Sequence, residues 1–199
     1  MTDSTRPCLY FCQAGKHNTD AVIETVVRRL AEGDIKTVVV SSTTGYTADR
    51  FARALEGRDD ITLIGVAESA LIREWGTEYP SLKPETKEDL EQRGVIVADK
   101  VSYVFHHSPF DGKWQVPTPE EIIRETLYAF GQGLKVAVEV VLIAVSNGYL
   151  DPFQDVVAVG GTHRGVDTAI VMNATYPNYV FSQDPAKRLW IREILCKPK

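Results

Sequence analysis

Thr37-Val38-Val39-Val40-Ser41-Ser42-Thr43-Thr44-Gly45-Tyr46-Thr47 decides how this chain is read. Its first four residues are β-branched and too few for a helix, so they predict a buried strand. The hydroxyl-rich turn then runs into a helical pattern carried by Phe51, Ala54 and Leu55. A strand that feeds a helix through a short polar loop is half of a βαβ unit, and the flanking sequence repeats it. Upstream, residues 9–12 read as a strand. Val22, Ile23, Val26, Val27 and Leu30 then recur at helical spacing, with Asn18 as cap and Gly33 as stop. Downstream, 61–66 and 95–98 read as strands around a charged helix at 85–92. Residues 155–159 and 168–172 predict two strands joined by a glycine-rich turn, and 189–195 alternates like an edge strand.

Strand and helix in alternation imply right-handed crossovers and a parallel sheet covered by helices. Thr118-Pro119-Glu120-Glu121 is a capping box with proline at the first helical position. It predicts a helix running to about Leu150, bent near Gly131 and Gly133. The segment 102–119, with Tyr103, Phe105, Phe110 and Trp114, predicts a long loop insertion of the kind that often carries function. The whole span, 1–199, reads as one α/β domain.

The chain has 199 residues, 44% of them hydrophobic and 25% charged, a globular mix that supports a core without metal or disulfide staples. Lys and Arg number 22 against 27 Asp and Glu, for a net charge of -5. That balance disfavours a nucleic-acid or anionic-membrane binder, which needs a basic face. Cys8, Cys12 and Cys196 fit no metal pattern and read as buried or idle thiols of a reducing cytosol. Residues 1–7 are polar, and the apolar run 134–145 is interrupted by Lys135 and Glu139 and too short to span a bilayer. A cytoplasmic location is expected.

Between the 37–40 strand and its helix, four hydroxyl side chains and one glycine meet free backbone N–H groups and the positive end of a helix dipole. That combination suits phosphate. It suits equally a capped turn whose Ser and Thr only satisfy the helix end. No Gly-Lys-Ser/Thr ending follows, so ATP hydrolysis is disfavoured. A second loop, Val159-Gly160-Gly161-Thr162-His163-Arg164-Gly165, also follows a buried strand. In open α/β sheets ligands collect at the carboxyl ends of strands, so both loops are expected at one edge. There Arg164 and His163 meet negative charge, although a tight turn between strands is an equal reading. Lys16 brings the one distinctive charge to a third strand-to-helix junction. Thr162, His163, Asp167 and Ser42 make no hydrolase triad, because no Gly-x-Ser-x-Gly exists. Adjacent His106 and His107 face opposite ways on an extended chain and do not chelate one ion.

Ser42-Thr43-Thr44-Gly45-Tyr46-Thr47 is similar to the Ser-Thr-Ser-Gly-Thr-Thr phosphate loop of the pyruvate kinase C-terminal domain. The order of elements around it also resembles that domain. Gly15-Lys16-His17-Asn18-Thr19 resembles the opening of a small family of stand-alone pyruvate kinase C-terminal-like proteins, and the likeness runs from about Phe11 to Met172. The resemblance implies a three-layer α/β/α sandwich, mostly parallel, with an antiparallel edge strand. It implies a phosphate held by Ser42, Thr43, Thr44, Gly45 and Thr47, with Tyr46 departing from the family pattern. Gly161, Thr162 and Gly165 are expected on the opposite wall, with Lys16 and Asn18 beside them.

Pyruvate kinase activity itself needs a barrel of about 250 residues that this length excludes. The stand-alone relatives point to flavin mononucleotide (FMN) as the phosphate-bearing ligand. If the protein is an enzyme, a flavin-dependent oxidoreductase follows. The rival is a non-catalytic sugar-phosphate sensor that shifts an oligomer equilibrium, and a homo-oligomer is compatible with either. A structural domain with an idle loop is the third reading.

Overall fold

The computed structural model describes residues 5–106 and 117–199. His107, Phe110 and Trp114 of the predicted loop insertion lie outside them. Among the described residues seven strands form one sheet: β1 (Leu9–Phe11), β2 (Thr37–Ser41), β3 (Thr62–Val66), β4 (Ile96–Ala98), β5 (Asp155–Gly160), β6 (Thr168–Asn173) and β7 (Ile191–Pro198). Their order is β1-β7-β6-β5-β2-β3-β4, parallel throughout except where β6 runs against both β5 and β7. The helices are α1 (Thr19–Leu30), α2 (Tyr46–Ala54), α3 (Pro84–Gln92), α4 (Pro119–Tyr128) and α5 (Gln132–Ser146).

Alternation along β2 explains why both sheet faces carry a core. Val38 and Val40 point one way, into a cluster with Val22, Val26 and Leu30 of α1 and Phe51 of α2. Val39 points the other way, against Leu134, Val138, Val141 and Leu142 of α5. All three valines are fully buried, each worth about 1.5–3 kcal/mol in apolar burial. The second cluster explains the composition of α5. A helix buried nearly all round reads as a continuous apolar run, and its two charged residues, Lys135 and Glu139, lie one turn apart and pair with each other.

Two expectations are corrected. The helix from Pro119 does not bend near Gly131 but stops and restarts. Gly131 takes φ 121° and ψ 149°, outside the helical region, and its carbonyl accepts the Leu134 and Lys135 N–H groups that open α5. The predicted edge strand is β7, one place in from the edge, because β1 pairs along it in parallel from Leu9 opposite Cys196 to Phe11 opposite Pro198. The predicted capping box of α4 is present in both directions, Thr118 hydroxyl to Glu121 N–H and Glu121 carboxylate to Thr118 N–H. No helix among the described residues is long and apolar enough to cross a membrane.

Gly160, at the end of β5, lets α5 start directly on the sheet. A Cβ there would lie 2.2 Å from the Gly133 carbonyl oxygen and 2.5 Å from the Ala137 nitrogen, both backbone atoms. Gly160→Ala is expected to destabilise the fold by about 3 kcal/mol, the upper part of the overpacking range, measured by urea unfolding.

Candidate functional site

Because β1, β2, β3 and β5 run in the same direction, the loops that leave their carboxyl ends gather at one edge of the sheet. There they enclose a cleft of about 510 Å³. The β2–α2 loop forms one wall with Ser42, Thr43, Thr44 and Thr47, and the segment after β3 adds Thr77 and Ser81. The facing wall is Lys16 from the loop after β1, with His163, Arg164 and Gly165 from the loop after β5. Among the described residues no Asp or Glu lines this cleft, in a chain whose net charge is -5.

The β2–α2 loop is shaped by Gly45, which sits at the α2 N-cap in the left-handed region with φ 88°. Ser42 is buried, and its hydroxyl accepts the Ala48 N–H at 3.0 Å, so this side chain does the ordinary work of a cap. The other hydroxyls are not used that way. Among the described residues, the side chains of Thr43, Thr44 and Thr47 make no hydrogen bond, and neither do the backbone N–H groups of Thr43, Thr44, Tyr46 and Thr47. These donors belong to a helix N-terminus that carries about half a positive charge. Tyr46, the departure from the resembled pattern, carries the Lys16 ammonium over its ring at 4.2 Å from the centroid.

The opposite wall is held by Asp167, a fully buried carboxylate. One of its oxygens accepts the N–H of Gly15 at 2.9 Å and of Thr162 at 3.2 Å, and the other accepts the Thr168 hydroxyl at 2.9 Å. This joins the loop after β1 to the loop after β5. Thr19 adds a second tie: its hydroxyl donates to the Lys16 carbonyl at 2.7 Å and accepts the Val166 N–H at 3.2 Å. Gly165, with φ 67°, permits the contact, since a Cβ there would stand 2.8 Å from the Lys16 Cα. His163 also takes a positive φ, 61°, which is uncommon without a glycine.

Of the residues singled out from sequence, Ser42, Thr43, Thr44, Thr47, Lys16 and Gly165 therefore line the cleft, and Gly45 shapes it. Three stand elsewhere. Thr162 turns its N–H to Asp167. Gly161 lines a smaller adjoining chamber. Asn18 is buried and donates to the Gln13 carbonyl at 2.8 Å. It makes no side-chain cap, because it sits in a 3-10 turn with helical φ and ψ. Sequence reasoning missed Thr77 and Ser81, which belong to no periodic segment, and gave Tyr46 no role.

The adjoining chamber, about 250 Å³, shares Ser41, Thr43 and His163 with the cleft. Its far wall holds Lys135 and Glu139 of α5. Glu139 also accepts the Phe105 N–H at 3.0 Å and lies 3.5 Å from His106 Nδ1. Burial works against the Glu139 charge, but His106, Lys135 and the Phe105 N–H outweigh it and hold the carboxyl below its ordinary range. Burial pulls the Lys135 ammonium below its usual value despite Glu139, and pushes the Tyr103 phenol up to about 12. Among the described residues no three metal-ligating side chains converge. The three cysteines are free, Cys12 exposed and Cys196 buried. No protein-family model matches the chain.

The Asp167 tie separates two substitutions. Asp167→Ala leaves two half-buried N–H groups without an acceptor and is expected to cost about 2 kcal/mol. Asp167→Asn is expected to stay within about 1 kcal/mol of the parent, because the amide oxygen still serves both N–H groups and the amide nitrogen donates to the Thr168 hydroxyl. Urea unfolding of the two variants side by side checks this.

Proposed function

We propose that this protein binds a phosphate-bearing small molecule, FMN, in the cleft between the β2–α2 loop and the Lys16 and Arg164 wall. The observation that carries the reading is the lining. Among the described residues, two cations line the cleft across from N–H groups and threonine hydroxyls that have no partner at a helix N-terminus, and no carboxylate opposes them. The residues fit a phosphate on that ground. Thr43, Thr44, Thr47 and the adjacent N–H groups hold it from one side, and Lys16 and Arg164 neutralise it from the other. Ser42 and Gly45 act indirectly, by fixing the loop. The same reading takes the two-faced core as a three-layer α/β/α sandwich of the pyruvate kinase C-terminal kind. Bound here, a flavin supplies hydride and electron-transfer chemistry, which makes a flavin-dependent oxidoreductase the enzyme class to assay.

Thr44 is exposed, so replacing it leaves the core alone. Thr44→Glu puts a carboxylate in the anion's place and is expected to abolish binding of both FMN and inorganic phosphate. Thermal denaturation reads the result: ligand at a hundred times its Kd stabilises the parent by about 2.7 kcal/mol and leaves the variant unmoved. Equal stabilisation of both proteins contradicts the assignment.

A further inference from the structure

We propose that the chamber behind the cleft takes the other end of the same ligand, a planar ring bearing an N–H or O–H donor beside an acceptor, and that Glu68 selects it by accepting that hydrogen. The inference rests on the phosphate reading of the cleft.

Continuity comes first. Ser41, Thr43 and His163 line both cavities, so a molecule anchored by phosphate on the β2–α2 loop extends into the chamber along a shared wall. The second observation is Glu68. It is 4% exposed, its Oε1 accepts the Ser81 N–H at 2.7 Å, and its Oε2 is enclosed with no hydrogen-bond partner among the described residues. Carboxylate oxygens are rarely left bare inside a protein, and Glu68 is one of the residues that line the chamber, so its Oε2 is the acceptor assigned to the ring hydrogen. The third is the aromatic wall. Trp75 and Tyr103 stack with centroids 5.9 Å apart and planes 10° from parallel, and His106 meets them at 5.5 and 5.3 Å. Such a surface suits a flat ring.

Lys135 supplies the complement. Its ammonium lines the chamber beside Glu139 and favours an acceptor on the ring. An imide-like edge, N–H flanked by carbonyls, meets both demands, and the FMN ring system carries one. The chamber also separates the two ligand classes that the cleft alone admits. The far end of a sugar bisphosphate is a second phosphate, which the carboxylates of Glu68 and Glu139 repel.

The test titrates the intact parent, Glu68→Gln and Trp75→Ala with FMN, followed by flavin fluorescence, and with inorganic phosphate, followed by thermal shift. Glu68→Gln keeps the shape and the Ser81 contact but puts an NH2 group where the bare oxygen stood. The expected result is FMN binding weakened by about tenfold or more, with phosphate affinity unchanged. Trp75 is 56% exposed, so Trp75→Ala folds independently of the core and is expected to show the same split. Should Glu68→Gln fail to fold, Trp75→Ala decides alone. FMN affinity at the parental level in the folded variants, with Thr44→Glu still abolishing it, overturns the chamber and leaves the phosphate reading standing. Equal weakening of FMN and phosphate overturns it too. A parent that takes neither probe removes the phosphate reading, and this inference with it.

Discussion

The buried carboxylate of Asp167 is the constraint on which the site depends. The sheet delivers three loops to one edge, but strand order alone leaves the loop after β1 and the loop after β5 free to splay. Asp167 accepts an N–H from each, and the Thr19 hydroxyl bridges them a second time. Lys16 and Arg164, both exposed, thereby line the cleft across from the α2 N-terminus. A carboxylate spent on backbone N–H groups adds its negative charge beneath the wall, not inside the cleft. Among the described residues the lining itself stays free of acidic side chains.

The second organising element is α5. It covers the sheet face opposite α1 and α2, and Gly160 brings its first turn close enough to the end of β5 to bound the chamber. An entirely apolar α5 would pack as well. Lys135 and Glu139 instead place a charge pair where the helix borders the chamber. Breaking such a buried pair on one side costs about 3–5 kcal/mol. Its position therefore combines a structural demand with a charged surface on the chamber wall.

Much of this was legible in the sequence for identifiable reasons. Residues 37–40 announce a buried strand because a short β-branched run permits little else, and Thr118 with Glu121 announces a helix start because the capping box is local chemistry. That the loops after β2 and β5 share an edge follows from parallel strands. What failed depends on information that a local pattern lacks. A glycine in a helical run fits a bend or a break, and only the backbone angles of Gly131 decide. Alternation in 189–195 marks a strand with two unlike faces, not its place in the sheet. Asn18 has the right residue type for a cap, yet the 3-10 turn before α1 points its amide back to Gln13. Thr77, Ser81 and Glu68 lie in or beside the aperiodic stretch after β3, and nothing but tertiary folding brings them to the cleft and chamber. Lys135 and Glu139 were the one visible hint, two charges a helical turn apart in an otherwise apolar run.

We propose the edge of the sheet between Thr44 and Arg164 as a phosphate site for a flavin nucleotide. The most direct measurement is the visible absorption spectrum of the freshly purified protein, repeated after adding FMN and removing the excess, with mass analysis of whatever heat releases. The account predicts a protein-bound flavin band approaching one FMN per chain in at least the supplemented sample. A protein that stays colourless after supplementation, and that inorganic phosphate does not stabilise, contradicts it.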